Sequence, residues 1–155
     1  PAALRSFEGL PHRLQAVAER SGVLWIDDSK ATNVAAAVAA VTACDRPLIL
    51  LLGGRHKGQP YDAIADAAQG RARAVIAFGE AAPLIVPVMQ DAVETVLTES
   101  GLDAAVRTAA DLAHSGDVVL LAPACSSYDM FPDYAARGRA FAAAVLGLPG
   151  DGGES

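Results

Sequence analysis

Two cysteines in 155 residues, Cys44 and Cys125, are too few for a disulfide framework, and a reduced setting is the expectation. Aromatic side chains are also scarce, at 5% of the chain, so the interior has to be built mainly from Ala, Val and Leu. Basic residues are outnumbered 12 to 18, for a net charge of −6 and a pI near 4.9. That balance argues against a nucleic-acid partner, which usually meets a basic surface. No apolar run approaches the roughly 20 residues that a membrane span requires. No signal peptide is visible at the start, so a cytoplasmic location is expected. His12, His56 and His114 fall in three separate predicted elements, and no pair has metal-ligand spacing. No metal site is therefore expected. Two catalytic signatures are missing as well: neither G-x-x-x-x-G-K-[ST] nor G-x-S-x-G occurs.

What is present is a chain 52% hydrophobic and only 19% charged, long enough for one domain with a real core. "RLQAVAERSGVLWIDDS" reads as two short strands about a Ser21-Gly22 turn. "NVAAAVAAVTAC" reads as a helix with Val34, Val38 and Val41 on its buried stripe. "PLILLLGG" and "RAVIAFG" are apolar runs of the kind that forms strands covered on both faces, and "YDAIADAAQ" between them gives a short helix. In "AAPLIVPVM", Pro83 and Pro87 allow only a short helical piece between them. "AVETVLT" reads as an edge strand, and "LDAAVRTAADLAHSG" as a helix ending at Gly116. "DVVLLAP" is a strand, and "PDYAARGRAFAAAVLG" is a closing helix with Pro132 in its first turn. The alternation predicts an α/β fold: a mostly parallel sheet, helices on both faces and a short N-terminal hairpin.

In such sheets ligands sit beyond the carboxyl ends of the strands. "DDSK", "GGRHKG", "GE" and "APACSSYD" each follow a predicted strand, so the polar residues gather at one edge. Asp28, Ser29, Thr32 and Asn33 all carry side chains able to cap a helix. Lys30 fits that role poorly, because a cation at a helix N-terminus opposes the macrodipole. A bound carboxylate or phosphate reverses the sign, and the anion-site reading is preferred. Lys57 reads equally as a second anion contact or as a solvated loop lysine. Cys125 as a nucleophile lacks an adjacent base, so "PACSSYD" reads as a turn of small binding groups. His12-Arg13 is either a surface pair or a phosphate contact.

Taken together, "GLPHR", "WIDDSKATN", "LLLGGRHKG" and "LAPACSSYDMFPDYAARGRAF" resemble, in order and spacing, the C-terminal domain of MurD-type Mur ligases, from about Phe7 to Leu146. "DSKATN" is the most specific of these stretches. The resemblance implies a Rossmann-like domain over residues 9–147, an interdomain linker over 1–8 and a mobile tail over 148–155. It implies one third of an ATP-dependent enzyme of peptidoglycan synthesis that adds D-glutamate to UDP-N-acetylmuramoyl-L-alanine through an acyl phosphate. ATP and magnesium would be held mainly by a central domain, and the uridine nucleotide by an N-terminal one, neither of them in these residues. Thr32, Lys57, Ser127 and Tyr134 fall on the family's D-glutamate positions. Lys30 matches a lysine near the phosphates and the reacting carboxylate. Arg13 and Asp28 match contacts to ATP phosphate and ribose. Asp27 stands where asparagine is common, and Tyr134 where phenylalanine is frequent. The fragment is expected to be inactive alone. The alternatives are a stand-alone anion- or nucleotide-binding module of Rossmann type, disfavoured by the missing G-x-G-x-x-G, and a related ligase for another amino acid.

Overall fold

The structure, a computed structural model, describes residues 13–149. The expected linker over 1–8, His12 and residues 150–155 of the expected tail lie outside the described residues. Strands β1 (Gln15–Arg20) and β2 (Val23–Asp27) form the N-terminal hairpin. Ser21 and Gly22 both take positive φ, 54° and 79°, the twist that a two-residue hairpin turn needs. Helix α1 (Val34–Ala43) then crosses to β3 (Leu48–Gly53), α2 (Asp62–Ala68) to β4 (Ala72–Phe78), and α3 (Ala82–Gln90) to β5 (Thr95–Glu99). Helix α4 (Leu102–Leu112) returns to β6 (Val118–Ala124), and α5 (Tyr134–Leu146) closes the fold.

The six strands lie in the order β1-β2-β6-β3-β4-β5, with every pair parallel except the hairpin. Strand β6 slots between β2 and β3, so the chain reverses its direction of travel across the sheet after β5. Right-handed crossovers put helices made on the outward run on one face and those made on the return on the other. Two cores result. Leu24, Ile26, Leu48, Leu50, Leu52 and Leu120 face the first three helices. Trp25, Ile49, Leu51, Ile76, Val119 and Leu121 face α4 and α5. Alternate residues of each strand supply opposite cores, which is why β3 has to be apolar throughout.

Four local expectations change. Helix α1 buries Ala37 and Ala40 alongside Val34 and Val41, while Val38 is only half-buried; the alanines let the helix lie close on the sheet. Helix α3 runs straight through Pro87. Pro83 sits in its first turn, where a missing N–H costs nothing. The exposed Pro87 gives up one backbone bond, offset by burial of Ala82, Ile85 and Met89. Helix α4 stops at Leu112, not Gly116, because His114 N–H donates to Asp117 Oδ2 at 2.8 Å and the chain turns there. Pro132 lies just outside α5, whose first turn is capped by Asp133 accepting Ala136 N–H at 2.8 Å. Among the described residues, no helix is long and apolar enough to cross a membrane.

Candidate functional site

Because β2, β3, β4 and β6 run parallel, the segments that follow them (residues 28–33, 54–61, 79–81 and 125–133) emerge along one edge. Hydrogen bonds mesh them together. Ala124 N–H donates to Ala31 O (2.9 Å) and Asp28 N–H to Leu121 O (2.8 Å), tying the first segment to β6. Arg55 and Ser126 exchange both backbone bonds, at 2.9 and 3.2 Å. Ala81 N–H donates to Gly54 O (2.9 Å), and Glu80 N–H to Asp129 Oδ2 (3.1 Å). The approach is too close for side chains at some positions: a Cβ on Gly54 would stand 2.2 Å from Ser126 O.

Lys57 is exposed and extends Nζ to Thr32 O, 2.9 Å away, so two expected substrate residues from separate crossovers meet at the rim. The Lys57 charge also acts on the thiol of Cys125, so the ammonium is within electrostatic reach of the segment 125–133. Ser127 belongs to that segment and is 2% exposed; its carbonyl accepts Met130 and Phe131 N–H and closes the turn. Tyr134 opens α5 at the same end of the sheet, 37% exposed. Lys30 is exposed in the turn that Ala31 N–H closes on Asp28 O.

Of the four cap candidates only Asn33 caps α1, with Oδ1 accepting Ala36 N–H at 2.8 Å. Gln59 Oε1 takes Val34 N–H at 3.0 Å. Two amides expected to be open to an anion are therefore already engaged by side chains.

Arg13 is exposed, whereas Asp28 is 4% exposed and accepts Leu14 N–H at 3.2 Å. Burial pushes the Asp28 carboxyl up to about 6, against the opposing pull of the Leu14 hydrogen bond and the Arg13 charge. Arg13 thus stands open to solvent, while Asp28, expected as a contact to the ATP ribose, is turned inward onto the Leu14 backbone. Among the described residues no cluster of three His, Cys, Asp or Glu side chains is placed to hold a metal ion.

Several groups that organise this edge were not among the expected site residues. Tyr61 OH lies 2.8 Å from His56 Nδ1 and 3.3 Å from Cys125 Sγ. Arg137, fully buried, donates from one guanidinium nitrogen to Ser29 O at 3.0 Å, and burial lowers it to about 10, so it keeps its charge near neutrality. Its signal in the sequence is an arginine in register with Phe141 and Val145 on one helical stripe. Tyr61 offers no comparable sign, since its partners lie 5 and 64 residues away. Clefts also lie away from this edge, one of about 550 Å³ beside Asp45, Arg46, Arg71 and Arg73. Another of about 250 Å³ lies at the opposite end of β2, beside Arg20, Trp25 and Asp111.

Comparison with known proteins identifies the family. Residues 12–125 match the family described as Mur ligase, glutamate ligase domain. The chain is 48% identical over 148 residues to the UDP-N-acetylmuramoylalanine–D-glutamate ligase of Aromatoleum aromaticum, covering 95% of this chain and 32% of that protein. It is 48% identical over 147 residues to the same-named ligase of Pseudomonas aeruginosa, covering 92% and 33%. The chain thus spans about a third of the length of the curated relatives it matches. Among solved structures, a murein peptide ligase from Psychrobacter arcticus superposes with a TM-score of 0.64 at 17% identity, over 96% of this chain and 33% of that one. A UDP-N-acetylmuramate–alanine ligase from Thermotoga maritima gives 0.64 at 14%, over 93% and 32%. These two speak to the fold alone. With three quarters of its length matched, the chain belongs to the Mur ligase family, as a glutamate ligase domain.

Proposed function

We propose that the chain is the amino-acid-delivering domain of a cytoplasmic, ATP-dependent ligase that joins D-glutamate to UDP-N-acetylmuramoyl-L-alanine in peptidoglycan synthesis. The observation that carries this reading is the meeting of Lys57 and Thr32 at the rim, 2.9 Å apart from Nζ to carbonyl, beside the turn that holds Ser127. D-Glutamate carries two carboxylates, and the edge offers exposed ammonium groups at Lys30 and Lys57 with hydroxyls at Thr32 and Ser127. Lys57 is engaged with a neutral carbonyl. A carboxylate displaces that acceptor readily, because a charge-assisted hydrogen bond is about twice as strong as a bond to a neutral group.

Lys57 and Thr32 then grip one carboxylate, and the Ser127 turn receives the other as it yields its close packing. Tyr134 lines the far wall at the start of α5. Lys30 faces the reacting carboxylate of the acceptor, which ATP activates by phosphorylation. Arg13 meets the nucleotide phosphates, and Asp28 holds the backbone beside it. Magnesium belongs with ATP in the regions of the longer protein that this chain does not include, so the 155 residues alone turn over no substrate.

The test is steady-state kinetics of the full-length enzyme carrying Lys57→Ala. Loss of a charged hydrogen bond costs about 2–3 kcal/mol, so KM for D-glutamate should rise on the order of 100-fold. KM for ATP should stay within about threefold, less than 1 kcal/mol. Equal rises for both substrates contradict the assignment.

A further inference from the structure

Tyr61 presents a hydroxyl that packing does not require. The residue is 4% exposed, its carbonyl accepts Ile64 and Ala65 N–H in the first turn of α2, and its ring belongs to the apolar core. Phenylalanine would fill that space without a buried polar group, whose desolvation is costly unless it is hydrogen-bonded. The two partners of the hydroxyl are side chains from two different rim segments: His56 Nδ1 at 2.8 Å and Cys125 Sγ at 3.3 Å. One hydroxyl proton serves one partner, so the bonds run in a single sense, either from Cys125 through Tyr61 to His56 or the reverse. In either sense the three residues form one continuous chain.

We propose that Tyr61 is a positioning residue of the amino-acid site, its hydroxyl locking the 54–60 loop to the 125–127 turn so that Lys57 is set against Ser127. The placement rests on the D-glutamate reading above. His56 turns inward to the hydroxyl, and the next residue, Lys57, points out to the rim. Cys125 stands at the start of the turn that carries Ser127, directly after Ala124, whose φ of 67° swings the chain off β6. The reciprocal bonds of Arg55 and Ser126 form one rung between these segments, and the Tyr61 chain forms a second, so the segments cannot pivot about the first. The ring centroids of His56 and Tyr61 lie 5.5 Å apart, which adds contact area to the hydrogen bond. Burial raises both the Tyr61 hydroxyl and the Cys125 thiol above their ordinary values, so both keep their protons and the chain stays neutral at those two points.

The experiment uses the full-length enzyme with Tyr61→Phe, Cys125→Ala and Cys125→Ser. KM for D-glutamate in Tyr61→Phe should rise about 5- to 20-fold, with kcat and KM for ATP changed less than about twofold. Cys125→Ser, which keeps a donor and an acceptor, should recover most of what Cys125→Ala loses. Hydrogen exchange at the Arg55 and Ser126 amides, measured without substrate, should quicken roughly tenfold in Tyr61→Phe. Unchanged exchange, or equal shifts in both KM values, overturns the positioning role. If the wild-type enzyme does not consume D-glutamate, the functional reading fails. The exchange rates still decide the lock, quickening for it and constancy against it.

Discussion

Asp28 is held inside the protein with one carboxylate oxygen on Leu14 N–H, and Leu14 itself sits at a φ of 46°. Burial lifts this carboxyl from an ordinary 3.8 to about 6. The folded state therefore binds a proton more tightly than the unfolded chain. Between pH 4 and 6 the native protein carries more protons, so the Asp28 contribution is fully present below about 4 and is lost as pH rises through 6. Two pH units correspond to roughly 2–3 kcal/mol. Asp28→Asn keeps an acceptor for Leu14 and removes the titration. Urea midpoints for this variant should vary less between pH 4 and 6.5 than those of the parent; parallel profiles would refute the assignment. Asp27, its neighbour, is also buried and accepts Ser29 N–H at 2.8 Å. The pair that reads as the mouth of a site thus includes two carboxylates that brace the backbone from within.

At the scale of elements, the glycines after β3 show how closely the strand ends are drawn together. Gly54 has φ of 133°, and a Cβ there would collide with Ser126 O at 2.2 Å. Gly58 has φ of 87°, with nothing within 4 Å of where a Cβ would stand. Gly58→Ala should cost about 1–2 kcal/mol, the left-handed penalty alone. Gly54→Ala should cost more than about 3 kcal/mol, because backbone rather than a flexible side chain has to move. Thermal unfolding of the two variants measures the difference, and equal losses would mean that the Arg55–Ser126 rung is unimportant. A second elemental test concerns α3. Pro87 is exposed in mid-helix, so Pro87→Ala restores a backbone donor and should stabilise the protein by about 1–2 kcal/mol.

Across the whole molecule, Arg20 joins the hairpin to the end of α5. Its guanidinium donates to the carbonyls of Val145, Leu146, Leu148 and Pro149 at 3.1–3.3 Å. It thereby satisfies orphan acceptors at a helix C-terminus and places a positive charge at the negative end of the dipole. Because β1 is the edge strand, paired among the described strands with β2 alone, this clamp is a principal tie between the antiparallel edge and the last helix. Arg20→Ala should lower stability by about 1–2 kcal/mol. Arg20→Lys should recover less than half of that, since an ammonium cannot reach four carbonyls at once. Full recovery by lysine would reduce the clamp to simple charge.

The residue pattern was enough to specify the order of strands and helices, the hairpin turn, the two-faced burial of β3 and the edge at which polar groups collect. Local geometry and hydrophobic period act over a few residues, and a parallel sheet sends all its strand ends the same way. The motifs were likewise sufficient to point to the family. Pro87 inside α3, the stop of α4 at Leu112 and the choice of Asn33 among four caps depended on neighbours far along the chain. So did the burial of Asp28, the guanidinium of Arg137 beneath Ser29, and the joining of His56 to Cys125 through Tyr61. No window of sequence contains both ends of such contacts. They form when the crossovers dock, and the desolvation and hydrogen bonding that determine them exist only in the packed molecule.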